Sequence, residues 1–455
     1  MTTVHARRRS KTGEAVLQIA SRGAYREANR ECGADEHGID GGFAERIERT
    51  EPMMTEPKPT EPKTAMTVAT IGVLGHQWRG AVTAAGNIAG DSPLEWWVAA
   101  EDRWHRPDDE VATLRRRRID GTPVIETRLR VPGGDIVQRI YAVADAGGIT
   151  IVEIENESSA AVAIAFSHGN LLTTRPPSVK PPQGITLPEA SVVFPLAHRS
   201  TLRVGLAHGR LSSGPLPEQV SGPTAVARGW LRHVEQASRL VLPDTDLAER
   251  VVAQRCELIL CGVDDPADDP IGFLLGVHEL VRTGVDAQDW VPEIVDAAES
   301  VARHARSDFT WDADRALLAT AAVFARVGEL KGAGDVQAMR ARLKRPAARP
   351  VTEPTGVRLI AWVESLLAAP AADGACVLMP DGFPEAWLGQ NFETYRLPAS
   401  PTQQISYAVR WHGERPAVLW EVTGDGRLAL NAGTADPSWS SVETTGEALL
   451  AAPRR

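Results

Sequence analysis

Cysteine, tyrosine and phenylalanine are scarce in this chain: 4, 4 and 8 respectively among 455 residues. Cys32, Cys256, Cys261 and Cys376 are too few and too scattered for a disulfide framework. Cys256 and Cys261 stand five apart on an expected helix, so they point in different directions and make a poor metal pair. They read as reduced core thiols. Basic charge is also short, with 49 Lys and Arg against 59 Asp and Glu and a formal charge of −10. That balance argues against nucleic acid or an anionic membrane as partner. No apolar run approaches the length needed to cross a bilayer. The opening "MTTVHARRRSKTGEAV" has basic residues with no apolar core behind them, which does not suit a secretory signal, so a cytoplasmic location is expected. No Gly-x-Ser-x-Gly elbow, phosphate-binding glycine loop or His-Glu-x-x-His occurs, and the 11 histidines show no ligand spacing. Neither a metal nor a cofactor is expected.

What is present suffices for several cores: 43% of the residues are hydrophobic, and the length suits about two to four domains. Residues 1–65 form an expected disordered tail. Its "RTEPMMTEPKPTEPKT" repeats Thr-Glu-Pro, and the prolines and charges oppose helix and sheet. Met53, Met54 and Met66 follow or lie within this stretch, so the long leader reads as an over-extended start, dispensable for folding.

From 67 to 243 the alternation is β, consistent with an N-terminal antiparallel β-sandwich. "TPVIETRLRVPGGDIVQRIYAV" predicts two strands about a Pro-Gly-Gly-Asp turn, with Ile125, Thr127, Leu129 and Val131 on one face. "ITIVEIENESSAAVAIAFS" predicts a second strand pair about residues 156–159. Arg115 to Arg118 read as a solvated edge strand, since alternate arginines face opposite ways. From 245 to 369 the period turns helical, giving five or six helices in antiparallel hairpins. Trp290, Ile294, Ala297, Val301 and Ala305 share one face there, and Leu317, Ala321 and Phe324 another. The acids of "PDTDLAER" and "DDPADDP" suit helix capping better than a calcium loop. From 373 to 455 the chain is β again, enough for a small C-terminal sandwich.

The 12 tryptophans suit either large cores or sugar-stacking surfaces. "YAVRWHGERPAVLWEV" (407–422) poses the choice most sharply. Parity places Ile405, Tyr407, Val409 and Trp411 on one face of a strand, and Val418, Trp420 and Val422 on one face of the next. With His412 opposite Ala417, both tryptophans become core and Arg410 lies diagonal to Glu421. Arg410, His412 and Glu421 then remain for a solvated face or for a ligand. In "EWWVAAEDRWHRPDDE", strand alternation runs through to Trp104, and Trp104 and His105 stand near the strand end, where a groove or a polar turn would begin.

The order of sandwich, helical hairpins and small sandwich resembles bacterial glycoside hydrolases and phosphorylases with an (α/α) toroid, the glucoamylase and maltose-phosphorylase type. "GFPEAWLGQNFETYRLP" followed by "ISYAVRWHGERPAVLWE" resembles the terminal β-module of actinobacterial proteins allied to that group. The resemblance implies a multidomain α and β fold whose helical part is a partial α/α toroid, with about half the helices of a complete one. It implies carbohydrate as ligand, either for a non-catalytic binding protein or for a glycoside hydrolase whose cleft a second subunit completes. Such an enzyme needs two carboxylates, roughly 6.5–9.5 Å apart for inversion, and only Asp312 in "FTWDADRALLATAA" offers a catalytic candidate. An oligosaccharide, a homodimer mate and a partner enzyme are the partners implied. A sugar site is expected where the helices meet the first sandwich, lined by Trp104, His105, Trp311 and Asp312.

Overall fold

The computed structural model describes residues 68–453, apart from 91–92, 181–182, 210–212 and 372–373. The expected tail at 1–65 and Cys32 lie outside the described residues. The described chain is mixed α and β, with several largely antiparallel sheets and seven α-helices.

Three sheets enclose the first core. One holds β1 (Ala69–Gly72), β2 (Arg79–Val82) and β3 (Ile88–Ala89). A second runs in the order β12 (Val192–Leu196), β10 (Val162–Phe166), β4 (Trp96–Ala99) and β5 (Trp104–His105). The third has seven strands, in the order β14 (Gly214–Pro215), β11 (Leu172–Thr173), β13 (Thr201–Ala207), β9 (Ile149–Asn156), β8 (Gly134–Val143), β7 (Ile125–Val131) and β6 (Leu114–Arg118). Ile125, Leu129 and Val131 face that core with Ile136, Ile154, Ile164 and Phe194, as their alternation requires. The arginine run is the edge strand β6. Its side chains are tied down, Arg117 to Glu126 at 3.0 Å and Arg115 to Asp135 at 3.0 Å.

Two expected pairings differ. The strands flanking residues 156–159 do not form a hairpin, because β9 lies in the seven-stranded sheet and β10 in the four-stranded one. Buried Asn156 builds this corner by donating to the carbonyls of Ala160, Leu196 and Ala197 and accepting from Ser158. The strand expected to reach Trp104 instead ends at Ala99 and turns back, so that Ala99 pairs with Trp104 and Val98 with His105. Trp96 and Trp97 are both buried, one on each face of β4.

Helix α1 (Pro223–Val234) falls where strands were expected. Pro at its start and buried Ala227, Trp230 and Val234 at helical spacing explain it. Then come α2 (Thr245–Cys261), α3 (Pro270–Arg282), α4 (Val291–Ala305), α5 (Trp311–Arg326), α6 (Leu330–Ala341) and α7 (Val357–Leu367). Asp244 caps α2 by accepting from Leu247 N, and Asp269 caps α3 by accepting from Gly272 N. Helices α3 to α6 share a core that includes Phe273, Ile294, Val301, Leu317 and Phe324.

The last core lies between two further sheets and α7. The five-stranded sheet runs β15 (Arg239–Val241), β18 (Phe392–Pro398), β19 (Gln403–His412), β20 (Arg415–Gly424) and β23 (Thr445–Leu449). The other runs β16 (Ala368–Pro370), β17 (Cys376–Leu378), β21 (Leu430–Ala432) and β22 (Asp436–Ser441). In the β19–β20 hairpin the register is two residues tighter than expected: His412 pairs with Arg415, Val409 with Val418 and Tyr407 with Trp420. Gly413, at φ 67°, allows the two-residue loop. The faces are unchanged, since a shift of two preserves parity. Trp420 is buried, whereas Trp411, near the strand end, is half-buried against Phe383 and donates its indole N–H to Gln390 O. Arg410 pairs with Glu393 of β18 rather than with Glu421, which stands opposite Ser406.

Candidate functional site

Where α2, α3 and α7 meet, four charged side chains are removed from water. Arg255 and Glu279 are 2% and 4% exposed, Glu364 is 6% exposed, and the side chain of Arg282 is equally buried. Each guanidinium bonds both carboxylates. Arg255 donates to Glu279 Oε2 at 2.9 Å and Glu364 Oε1 at 2.8 Å; Arg282 donates to Glu279 and, at 2.8 Å, to Glu364 Oε2. The other Nη donors reach Ser238 O and Ala237 O, Ser238 Oγ donates to Glu364 at 2.6 Å, and the buried Arg282 Nε has no hydrogen-bond partner. The helices hold this geometry, because Glu279 and Arg282 are one turn apart on α3 and Glu364 is a lone acid on the apolar face of α7. Burial alone would raise the Glu279 pKa, but Arg282 and Arg255 overcome it and hold the carboxyl well below its usual range.

A cleft opens beside this cluster, between α3, α5, α7 and the loop around Pro398–Pro401. Its free volume of about 70 Å³ admits several waters or a small ligand group. Glu279 and Glu364 form part of its floor; His278, Arg315 and Ser365 supply the other polar groups, and Leu275, Leu318 and Ala361 apolar wall. Burial, reinforced by Arg282, lowers the His278 pKa to about 4. The imidazole is therefore neutral near pH 7.

A second cleft, of about 240 Å³, lies between α1, α2, β15 and the turn at Ile119–Gly121. It brings together Asp120, Glu235, Glu249 and Arg239. Burial, then the charges of Asp120 and Asp246, push the exposed Glu249 carboxyl upward.

The residues singled out in the sequence are placed differently. Trp104 and His105 belong to β5, where the Trp104 indole N–H bonds Gln183 O at 2.7 Å and His105 bonds Asp102 at 2.9 Å. Trp311 is buried in the core shared by α7 and the C-terminal sheets. Asp312 is engaged through both oxygens: Oδ1 accepts from Thr310 and Ala313 N, and Oδ2 accepts from Arg358 at 3.0 Å. None of these four lines either cleft. Arg410, His412 and Glu421 lie on the outward face of the five-stranded sheet or at its hairpin tip. All 12 tryptophans fall within the described residues; seven are buried, five half-buried and none exposed. Trp78 stacks on His208 at 3.3 Å and Trp439 meets Trp420 edge-on at 5.2 Å, so these rings are occupied by protein.

The four-charge cluster escaped sequence reading. Its one local signal is a charged residue inside an apolar helical run, as in "AWVESLL" around Glu364. Among the described residues no group of histidine, cysteine and acidic side chains suits a metal ion, and no helix is long and apolar enough to cross a membrane. No protein-family model matches the chain, and no curated protein is significantly similar to it.

Proposed function

We propose that this chain is a carbohydrate-binding relative of the toroid glycosidases that holds its ligand without turning it over. In this reading residues 67–243 are a β-sandwich, 245–369 a shortened α/α toroid and 373–455 a second sandwich. One observation carries the non-catalytic assignment: the two carboxylates at the first cleft, Glu279 and Glu364, are each bonded by both Arg255 and Arg282. Glycoside hydrolysis needs one carboxyl free to give a proton and another free to attack or to activate water. Clamped carboxylates do neither. His278, Arg315 and Ser365 remain as hydrogen-bonding groups for a ligand lying along the apolar wall. No tryptophan, tyrosine or phenylalanine lines this cleft, so recognition rests on polar contacts and shape rather than stacking.

The raised Glu249 beside Asp120 supports a second reading, an active hydrolase working in the second cleft with a mate subunit closing it. A carboxyl pushed upward beside a second acid is the pattern of a general acid with its partner. A glycan array combined with a hydrolysis screen on α- and β-linked glucosides decides between the two. We expect glycan binding and no turnover. Turnover abolished by Glu249→Gln would establish the hydrolase, and silence in both assays would remove carbohydrate altogether.

A further inference from the structure

The charges behind the first cleft do not balance. The four-charge cluster is neutral within itself, two arginines against two glutamates. On the opposite wall, Arg315 and Arg340 share one buried carboxylate, Asp314: Arg315 donates to its Oδ2 at 2.7 Å and Arg340 also to Oδ2, at 3.2 Å. Arg349 stands nearby, its guanidinium over the Trp362 ring at 5.6 Å and its Nη1 donating to Ser365 Oγ. The partner of Arg349, Asp381, is 68% exposed, so water screens that pair. Arg340 and Arg349 both act on Arg315 as unfavourable like charges. Arg315 is also incompletely satisfied, for its buried Nε has no hydrogen-bond partner. An excess positive charge with an orphan donor, against a cleft with an apolar wall, is an unfavourable arrangement when filled by water alone. A ligand anion relieves it. The neutral His278 adds no competing charge on the facing wall.

We propose that the cleft selects a ligand bearing a carboxylate, whose carboxylate end enters to pair with Arg315 beside Leu275, Leu318 and Ala361 while the rest of the ligand stays at the mouth. This rests on the reading that the cleft is the ligand site and narrows the ligand from carbohydrate in general to an acidic sugar. A planar guanidinium matches a carboxylate in a two-bonded geometry, which a neutral hydroxyl cannot reproduce.

Calorimetric titration of the full chain with D-glucuronate, D-glucose and benzoate tests it, using wild type, Arg315→Gln, Arg315→Lys and Ala322→Phe, the last filling the cleft with the arginine left in place. Glucuronate is expected to bind at least tenfold tighter than glucose. Arg315→Gln is expected to erase that preference, Arg315→Lys to retain part of it, and Ala322→Phe to weaken all binding. Equal binding of glucose and glucuronate, lost in Ala322→Phe, would overturn the acidic selection while leaving the binding reading intact. Benzoate binding that depends on Arg315, without either sugar, would uphold the carboxylate site and overturn the sugar. No binding by any probe would overturn both. Should Arg315→Gln fail to fold, glucuronate binding undiminished in Ala322→Phe would itself overturn the proposal.

Discussion

His278 sits one position before Glu279 and lines the cleft, and burial beside Arg282, Glu279, Glu364 and Arg255 sets its titration. Burial removes the solvation an imidazolium needs, Arg282 repels the proton in the same direction, and the attraction of Glu279 and Glu364 does not offset the two. The folded state therefore binds fewer protons than the unfolded state between pH 6.5 and about 4. Stability from this group is complete above pH 6.5 and falls as the pH drops towards 4, by on the order of 3 kcal/mol. Glu279 has the same sign in a lower window: its contribution is complete above 4.5 and is lost as the pH falls through its depressed folded value. His278→Gln is expected to flatten the limb between pH 6.5 and 4 in urea-unfolding curves and to leave the lower limb in place. The half-buried, depressed His208 contributes to the upper limb as well, so the limb shrinks rather than disappears. An unchanged upper limb in the variant would show that His278 is solvated. None of this is legible in "GVHELVR" alone. The groups that govern His278 include Glu364, far along the chain on α7.

At the scale of elements, the hairpin β19–β20 separates what pattern settles from what it leaves open. Parity assigns Tyr407, Val409, Val418 and Trp420 to the buried face without any knowledge of the turn. Register is another matter, because two registers that differ by two residues bury the same side chains; the glycine at 413 and the third strand decide. β23 supplies that strand, and its Gly446 pairs with Trp420. A Cβ at Gly446 would stand 2.4 Å from Trp420 Cζ2, so the indole occupies the space a side chain would need. Gly446→Ala is expected to cost about 1–3 kcal/mol as an overpacking change, and Trp420→Ala about 3–5 kcal/mol as a large core truncation. Combined, the two are expected to cost clearly less than their sum, since the truncation removes the obstacle that makes the alanine costly. Thermal or urea unfolding of the three variants measures this, and strict additivity would mean the contact is absent in solution. The corner at Asn156 was opaque for a related reason: polar turn residues serve a hairpin and a crossing between sheets equally well. Only the burial of the Asn156 amide distinguishes them. Helix α1, by contrast, was readable from Ala227, Trp230 and Val234, and was obscured by the strand-rich stretch before it.

For the whole molecule, the change of period near residue 370 suggests a separable C-terminal unit, yet the packing crosses that point. Strand β15, contributed by residues 239–241, forms one edge of the five-stranded sheet through pairing with β18. Leu359, Ile360, Val363 and Leu367 of α7 share a core with Phe392, Tyr407, Val409 and Leu430, and the Tyr407 hydroxyl donates to Leu367 O at 2.9 Å. Val357 and Ala361 of the same helix also pack on the core of α3 to α6. One helix thus serves two cores, and the four-charge cluster ties it to α2 and α3 from below. A fragment comprising 373–455 would lack β15, β16 and α7 and would expose the apolar face they cover, at a cost that so small a core does not offset. We expect that fragment to show no cooperative melting and poorly dispersed amide resonances. In the full chain, tryptophan fluorescence, which includes Trp362, Trp387 and Trp420, and far-ultraviolet circular dichroism, dominated by the helices, are expected to report one coincident transition for the helical and C-terminal parts. A sharp independent transition of the fragment would locate a domain boundary at residue 373 and reduce α7 to a docked neighbour. That result would also detach the cleft from the C-terminal sheet, because Pro398, which ends β18 of that sheet, and Pro401 just after it close one side of the cleft.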